Sequence, residues 1–416
     1  MFFLYQVIIS LLLLASPIIV LIRIFKNKES VNRFHEKFSF STQKRNKGKL
    51  IWFHGASVGE IMSIIPLIQK YEKEKSISQI LITSSTLSSS KILKKYNFKK
   101  TTHQFYPIDH IYFTSKFLNY WRPSIVFFIE SEIWPCMFQE LKRKKIPLVL
   151  LNARLTKKTF KRWSKINFFT RSIFKNIFVA FPQNLETMFF LKKLNVKKIN
   201  LIGNLKFIES RDNSLSKINN NLKKEFKKRK VWIASSTHRG EELFCINAHV
   251  KLKKEISNLT TIIIPRHIHR SNEIIKEIEK LDLKYVCHSS QPKSLNQTDI
   301  YVVDTFGETK KFHNLASTVF LGGSIINRGG QNPLEAARLG AKIVHGPNTD
   351  NFKDIYKLLK SFKISKKINT PAQLASVVRF KKNKANGNKI KNIGEKILKK
   401  TIKELDYLIK NEFKKT

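Results

Sequence analysis

The sequence predicts two α/β domains, each built on a parallel sheet, behind an apolar N-terminal segment. Three observations predict this. Short runs rich in Ile, Val, Leu and Phe alternate with longer polar–apolar stretches, the pattern of buried parallel strands joined by helices. The alternation stops at a polar stretch rich in Lys and Asn, then restarts. The first 22 residues carry no charged side chain.

Met1 to Ile22 matches the ~20 apolar residues that cross the hydrocarbon core of a bilayer. A cleaved signal peptide would begin with basic residues and end at a small-residue cleavage site. Here Arg23, Lys26 and Lys28 follow the apolar run instead. The segment therefore reads as an N-terminal transmembrane helix, a single-pass anchor. The positive-inside rule places the remainder of the chain in the cytoplasm. The competing reading is a buried or interfacial helix kinked at Pro17.

Strands are expected at Leu50–Phe53, Ile80–Thr83, Ile125–Ile129, Leu148–Leu151 and Ile177–Phe181. After the polar stretch they are expected at Val231–Ala234, Thr261–Ile264, Ile300–Val303, Val319–Leu321 and Lys342–Val344, with a closing helix over Asn388–Lys410. The expected organisation is an anchor over 1–22, a first domain over 23–209, a linker over 210–230 and a second domain over 231–416. Two Rossmann-like domains facing across a cleft form the GT-B arrangement, although alternation alone also allows other two-domain α/β enzymes.

The 416 residues carry a formal charge of +48. Such a balance points to an anionic partner, a phospholipid surface included, or to a composition rich in Lys, Ile, Asn and Phe throughout. The basic residues are spread along the chain, and no nucleic-acid module with clustered Lys/Arg and interleaved aromatics is present, so no nucleic acid is expected as partner. Cys136, Cys245 and Cys287 lie too far apart in sequence for a metal knuckle or redox pair. No Asp-x-Asp pair and no metal-spaced histidines are found, so no metal is expected; His54, His238, His267 and His269 read as satisfied loop histidines.

Ligands of open α/β sheets bind beyond the carboxyl ends of the strands. In the first half, three segments occupy such ends: His54–Glu60 (HGASVGE), Glu130–Pro135 (ESEIWP) and Gly203–Phe207 (GNLKF). From the residues alone, Glu60 reads equally as a general base or as a first-turn carboxylate offsetting the helix dipole. Glu130 and Glu132 are costly at a strand end unless used or paired. Lys206 reads as an ordinary surface lysine unless an anion faces it. In the second half the corresponding segments are ASSTHRGEE at 234–242, PRH at 265–267, DTFGE at 304–308 and GGQNPLEAA at 329–337. Glycines, a helix start and the Arg266 fork suit a phosphate, and Glu335 suits ribose hydroxyls.

These segments, with NAR at 152–154, stand in the order in which they occur in the 3-deoxy-D-manno-octulosonic acid (Kdo) transferase family, which the chain resembles from its N-terminal segment to about Leu358. The resemblance implies a GT-B fold and an inverting, metal-independent transfer of Kdo to a lipid A precursor. CMP-Kdo is then the donor substrate, and no cofactor is implied. It implies Glu60 as general base, with Glu130 and Lys206 supporting the transition state. It implies that Arg266, His267, Phe306, Gly307, Glu308, Asn332, Pro333, Leu334 and Glu335 hold the donor. An anionic inner-membrane surface becomes the expected partner, because the acceptor is a phosphorylated lipid. Gln331 and Ala336 depart from the family's GGHN and LEPA, and Thr309 stands where the family has Leu. The alternative is another GT-B nucleotide-sugar enzyme acting on a lipid acceptor.

Overall fold

The computed structural model describes residues 1–209 and 218–415. The chain forms two compact units: Met1–Arg211 with Gly394–Thr416, and Asp212–Ile393. Part of the expected linker, 210–217, lies outside the described residues. Residues 394–416, expected with the second half, belong with the first unit.

The first unit holds a six-stranded sheet: β1 (Leu50–His54), β2 (Gln79–Ser84), β3 (Thr101–Phe105), β4 (Ile125–Ile129), β5 (Leu148–Ala153) and β6 (Val179–Pro182). The order is β3-β2-β1-β4-β5-β6, and every pairing is parallel. Successive side chains of a strand point to opposite faces. Along β1, Leu50 and Trp52 enter one core with Trp121, Phe128 and Phe138. Ile51 and Phe53 enter the other, with Ile64, Phe127 and the helix residues Leu405 and Ile409. Both faces of the sheet are therefore covered, which is why its central strands read as continuous apolar runs.

The second unit holds a seven-stranded sheet: β7 (Lys230–Thr237), β8 (Leu259–Pro265), β9 (Tyr285–Cys287), β10 (Ile300–Val302), β11 (Thr318–Leu321), β12 (Lys342–His345) and β13 (Ser365–Lys367). Its order is β13-β12-β11-β7-β8-β10-β9, again parallel throughout. Trp232, Ala234, Ile263, Val302 and Phe320 fill one of its faces.

The transmembrane helix expected over 1–22 is not formed by any single helix among the described residues. Two helices, Phe2–Leu14 and Ser16–Phe25, meet at a bend of 55°, and neither alone is long and apolar enough to cross a membrane. The break falls beside Pro17, which lacks the amide donor and whose ring crowds the preceding turn. The first helix is tied to the first unit: Tyr5 OH donates to Asp109 Oδ2 at 2.8 Å, and the Phe2 and Tyr5 rings lie beside Phe169. Its other side, with Phe3, Leu11 and Leu14, stays exposed, as do Ile18 and Phe25 of the second helix.

The last helix, Lys384–Lys415, packs on the first unit through Gly394, where an added Cβ would lie 2.2 Å from the Phe207 carbonyl oxygen. Backbone cannot yield as a flexible side chain does. Gly394→Val is expected to destabilise the fold by about 1–3 kcal/mol, read as a lowered Tm in thermal unfolding.

Candidate active site

In the first unit, β1 ends at His54, and the turn Gly55–Ser57 leads into the helix Val58–Tyr71. Ser57 caps that helix: its Oγ accepts from the Glu60 amide at 3.3 Å and donates to Glu60 Oε1 at 2.8 Å. The Ala56 amide donates to Glu60 Oε2 at 2.7 Å. This is a capping box, in which the third helical residue reaches back to the start of its own helix. Gly55 leaves the room, since a Cβ there would meet Glu60 Cβ at 3.0 Å. Even so, the Glu60 carboxyl is pushed up to about 7. Burial is the largest cause, followed by the charge of Glu132, with Glu130 adding to it against the hydrogen bonds from Ser57 and Ala56. The first-turn reading of Glu60 is what the structure shows, with its carboxyl raised as well.

Glu130 stands directly after β4 with φ 58°, a left-handed conformation that is rare away from glycine. Its carboxylate is buried and pairs with Lys206 Nζ at 2.6 Å. Lys206 sits on the short turn Leu205–Phe207. That turn is fixed from the end of β5, where fully buried Asn152, also left-handed at φ 52°, accepts the Leu205 amide at 3.0 Å. Lys206 is thus a committed ion-pair partner. Glu132 is held separately: its Oε2 accepts from Trp134 Nε1 at 2.9 Å and lies 3.2 Å from His54 Nε2. The Tyr106 ring stacks on His54 at 3.9 Å.

The second unit has a carboxylate of another kind. Glu241 is fully buried and accepts four backbone amides, from His238 at 3.0 Å, Gly323 at 2.6 Å, and Ser324 and Ile325 at 2.9 Å each. It ties the loop after β7 to the loop after β11. Gly322 lets them meet, because a Cβ there would lie 2.3 Å from the Ser236 carbonyl oxygen. Beside these loops, Arg266 and His267 are exposed after β8, and the His267 ring lies 5.7 Å from that of His238. Burial and the neighbouring Arg266 and Arg328 charges hold both histidines below their ordinary value. The cluster is basic and open, and suits an anion.

The remaining expected donor residues are spread over two loops. Phe306 is 87% exposed, and Gly307 follows it with φ 89°. Glu308 pairs with Lys311 at 2.6 Å. Asn332 Oδ1 accepts the Leu334 amide at 3.0 Å and so starts a short helix. Pro333 and Leu334 are buried, while Glu335 is exposed. Among the described residues, no group of three or more His, Cys, Asp or Glu side chains is placed to hold a metal ion. The roles of Asn152, His54, Glu132 and Glu241 were not read from sequence. The NAR, HGASVGE, ESEIWP and ASSTHRGEE segments marked these four positions without showing the partners each one meets.

Two parallel-sheet α/β units, one with three carboxylates near its strand ends and one with a basic loop cluster, resemble the GT-B glycosyltransferases in fold. Among solved structures, the chain is similar to a glycosyltransferase from Rickettsia africae ESF-5, with a TM-score of 0.54 and 13% identity, covering 89% of this chain and 100% of that one. It is also similar to UDP-GlcNAc 2-epimerase from Neisseria meningitidis, with a TM-score of 0.51 and 12% identity, covering 85% and 100%. Both likenesses bear on the fold alone. Residues 32–209 match the family described as 3-Deoxy-D-manno-octulosonic-acid transferase (kdotransferase). A 3-deoxy-D-manno-octulosonic acid transferase of Rickettsia bellii is 34% identical over 400 residues, covering 95% of this chain and 94% of that protein. One from Haemophilus influenzae is 27% identical over 94% of this chain and 93% of its own length. The chain belongs to the Kdo transferase family.

The raised Glu60 carboxyl has a consequence for stability. Its folded value, about 7, exceeds its ordinary 4.5, so the folded state binds the proton more tightly than the unfolded one. The resulting stabilisation is complete below the ordinary value and is lost as pH rises through about 7. Glu60→Gln mimics the protonated form. It should raise Tm at about pH 8 and leave it nearly unchanged near pH 4, as followed by circular dichroism melts.

Proposed function

We propose that this protein transfers Kdo from CMP-Kdo to a sugar hydroxyl of a lipid A precursor, with inversion and without a metal or cofactor. The observation that carries the reading is Glu60: a carboxylate at the carboxyl end of a parallel strand, raised to about 7, where its conjugate base is strong enough to accept a hydroxyl proton near neutral pH. In this reading the acceptor hydroxyl gives its proton to Glu60 as its oxygen forms a bond to the Kdo anomeric carbon. The bond from that carbon to the CMP phosphate breaks, and the phosphate leaves with the electron pair. The Glu130–Lys206 pair fixes the charge around the reacting centre. Arg266 and His267 meet the donor phosphate. Phe306, exposed as it is, offers a face to the base, and Glu335 an acceptor to the ribose.

The reading also sets the protein on the cytoplasmic side of the inner membrane. The exposed apolar sides of Phe2–Leu14 and Ser16–Phe25 support that, with Arg23, Lys26 and Lys28 following to meet anionic headgroups. Replacing those three residues by Glu should weaken flotation with anionic vesicles and leave binding to neutral vesicles unchanged. Equal flotation with anionic vesicles would remove the electrostatic part of this reading.

The transfer itself is tested with purified protein in detergent, CMP-Kdo and a tetraacylated lipid A precursor, by mass spectrometry of the lipid. Growth by whole Kdo units is expected, with a rate lowered roughly 10²–10⁴-fold in Glu60→Ala while CMP-Kdo still binds. A folded wild type that transfers nothing would reject this donor–acceptor pair and turn the search to other nucleotide sugars.

A further inference from the structure

Two carboxylates, Glu60 and Glu132, occupy the pocket at the ends of β1 and β4, which are neighbours in the sheet. What separates their behaviour is their donors. The Trp52 indole can only donate, and it donates to Thr83 Oγ1 at 2.9 Å. The Thr83 hydroxyl keeps one proton to give, and His54 Nδ1 lies 2.9 Å away. The Thr83 carbonyl, 3.2 Å from the same nitrogen, already accepts the Gly55 amide at 3.1 Å. With Nδ1 accepting from Thr83, the His54 proton sits on Nε2, which donates to Glu132 Oε2 at 3.2 Å. The opposite tautomer would set a bare nitrogen lone pair against a carboxylate oxygen. Trp134, again a donor only, gives its Nε1–H to the same Oε2 at 2.9 Å. His54 is fully buried and clamped by the Tyr106 ring, so the chain cannot readily turn over.

We propose that Glu132 is a positioning residue for the transfer, a carboxylate held in place by the directed chain Trp52–Thr83–His54 and by Trp134, so that its charge bears on Glu60. The inference rests on the reading of Glu60 as the base. A carboxylate held close to another raises its neighbour's proton affinity. Glu132 receives two N–H donors on one oxygen, and among the described residues no hydrogen bond reaches its Oε1. Glu60 is next in space: Gly55, the residue after His54, backs directly onto it. The charged groups facing Glu60 are Glu132 and Glu130, and Glu130 is neutralised by Lys206. Glu132 is therefore the group whose charge Glu60 feels most.

The test uses the full-length protein in detergent and two readouts. The first is the titration of the Glu60 carboxyl by difference infrared spectroscopy, with its band identified by its loss in Glu60→Gln. The second is the pH profile of kcat/KM for Kdo transfer. In Glu132→Gln the Glu60 midpoint should fall by roughly one unit, and the acid limb of the rate profile should move down with it. Trp134→Phe, which removes one donor and keeps the ring, loosens the hold on Glu132 and should move both midpoints in the same direction by less. A folded Glu132→Gln with both midpoints unchanged overturns the proposal; if that variant does not fold, an unchanged pair of midpoints in Trp134→Phe overturns it. A shifted infrared midpoint in a protein that transfers no Kdo leaves the coupling standing and rejects the assigned reaction instead.

Discussion

The site depends on how parallel strands end. All strands of such a sheet finish at one edge, and the chain must leave each strand without a partner hydrogen bond to guide it. At three of these ends a residue other than glycine takes the left-handed conformation: Glu130 after β4, Asn152 in β5 and Ser236 in β7. At the last two, the ladder register shifts by a residue. Such conformations are costly and persist only where their surroundings hold them. Here the surroundings do so. The Glu130 amide donates to the Leu151 carbonyl, and its own carbonyl accepts from Arg154. Asn152 then fixes the turn that carries Lys206 to Glu130. A strained strand end thus turns a side chain that would have joined the core into one that faces the pocket.

The buried carboxylates of the protein differ by the donors that surround them. Glu36 is fully buried and receives Arg33, Thr42 and the Phe105 amide, and Glu241 receives four backbone amides. Neither has capacity left for chemistry, and both hold chain segments together. Glu130 is neutralised by one cation. Glu60 receives only two donors, is half-buried, and has like charge nearby. Its proton affinity follows from what is missing around it. The general rule is that burial and like charge raise a carboxyl and donors lower it.

This explains what was legible in the sequence. Central strands were legible because burial on both faces leaves an unbroken apolar signature, as at Ile125–Ile129. The three strands without such a run, β3, β9 and β13, are all sheet edges. Their sequences, TTHQF, YVC and SKK, carry polar groups because one flank and part of their surface meet water. The apolar N-terminal segment was legible as composition but not as shape, since the consequence of Pro17 depends on what the two helices pack against. Within the site, Glu60 and Glu130 were visible because they follow strand-like runs. His54 was read as a satisfied histidine, and both its ring nitrogens are indeed engaged. The difference between Glu130 and Glu132, two residues apart, lies in donors arriving from positions 206 and 54. No local pattern announces partners that distant.

The charge balance gives the pocket a further meaning. Lys and Arg outnumber Asp and Glu by 78 to 30, so a randomly chosen cleft of this chain should be basic. The strand ends of the first unit reverse that: Glu60 feels the charges of Glu132 and Glu130, and of these Glu130 pairs with Lys206. Drift toward lysine-rich composition cannot produce such an inversion, and would erode it if nothing opposed the change. The second unit does the reverse, gathering Arg266, His267, His238 and Arg328 while its buried Glu241 is consumed by backbone amides. Excess negative charge destabilises an anion and strengthens a base; excess positive charge does the opposite. In the proposed transfer, a proton leaves a neutral hydroxyl and a phosphate departs, and one uniformly basic surface would suit only the second of these.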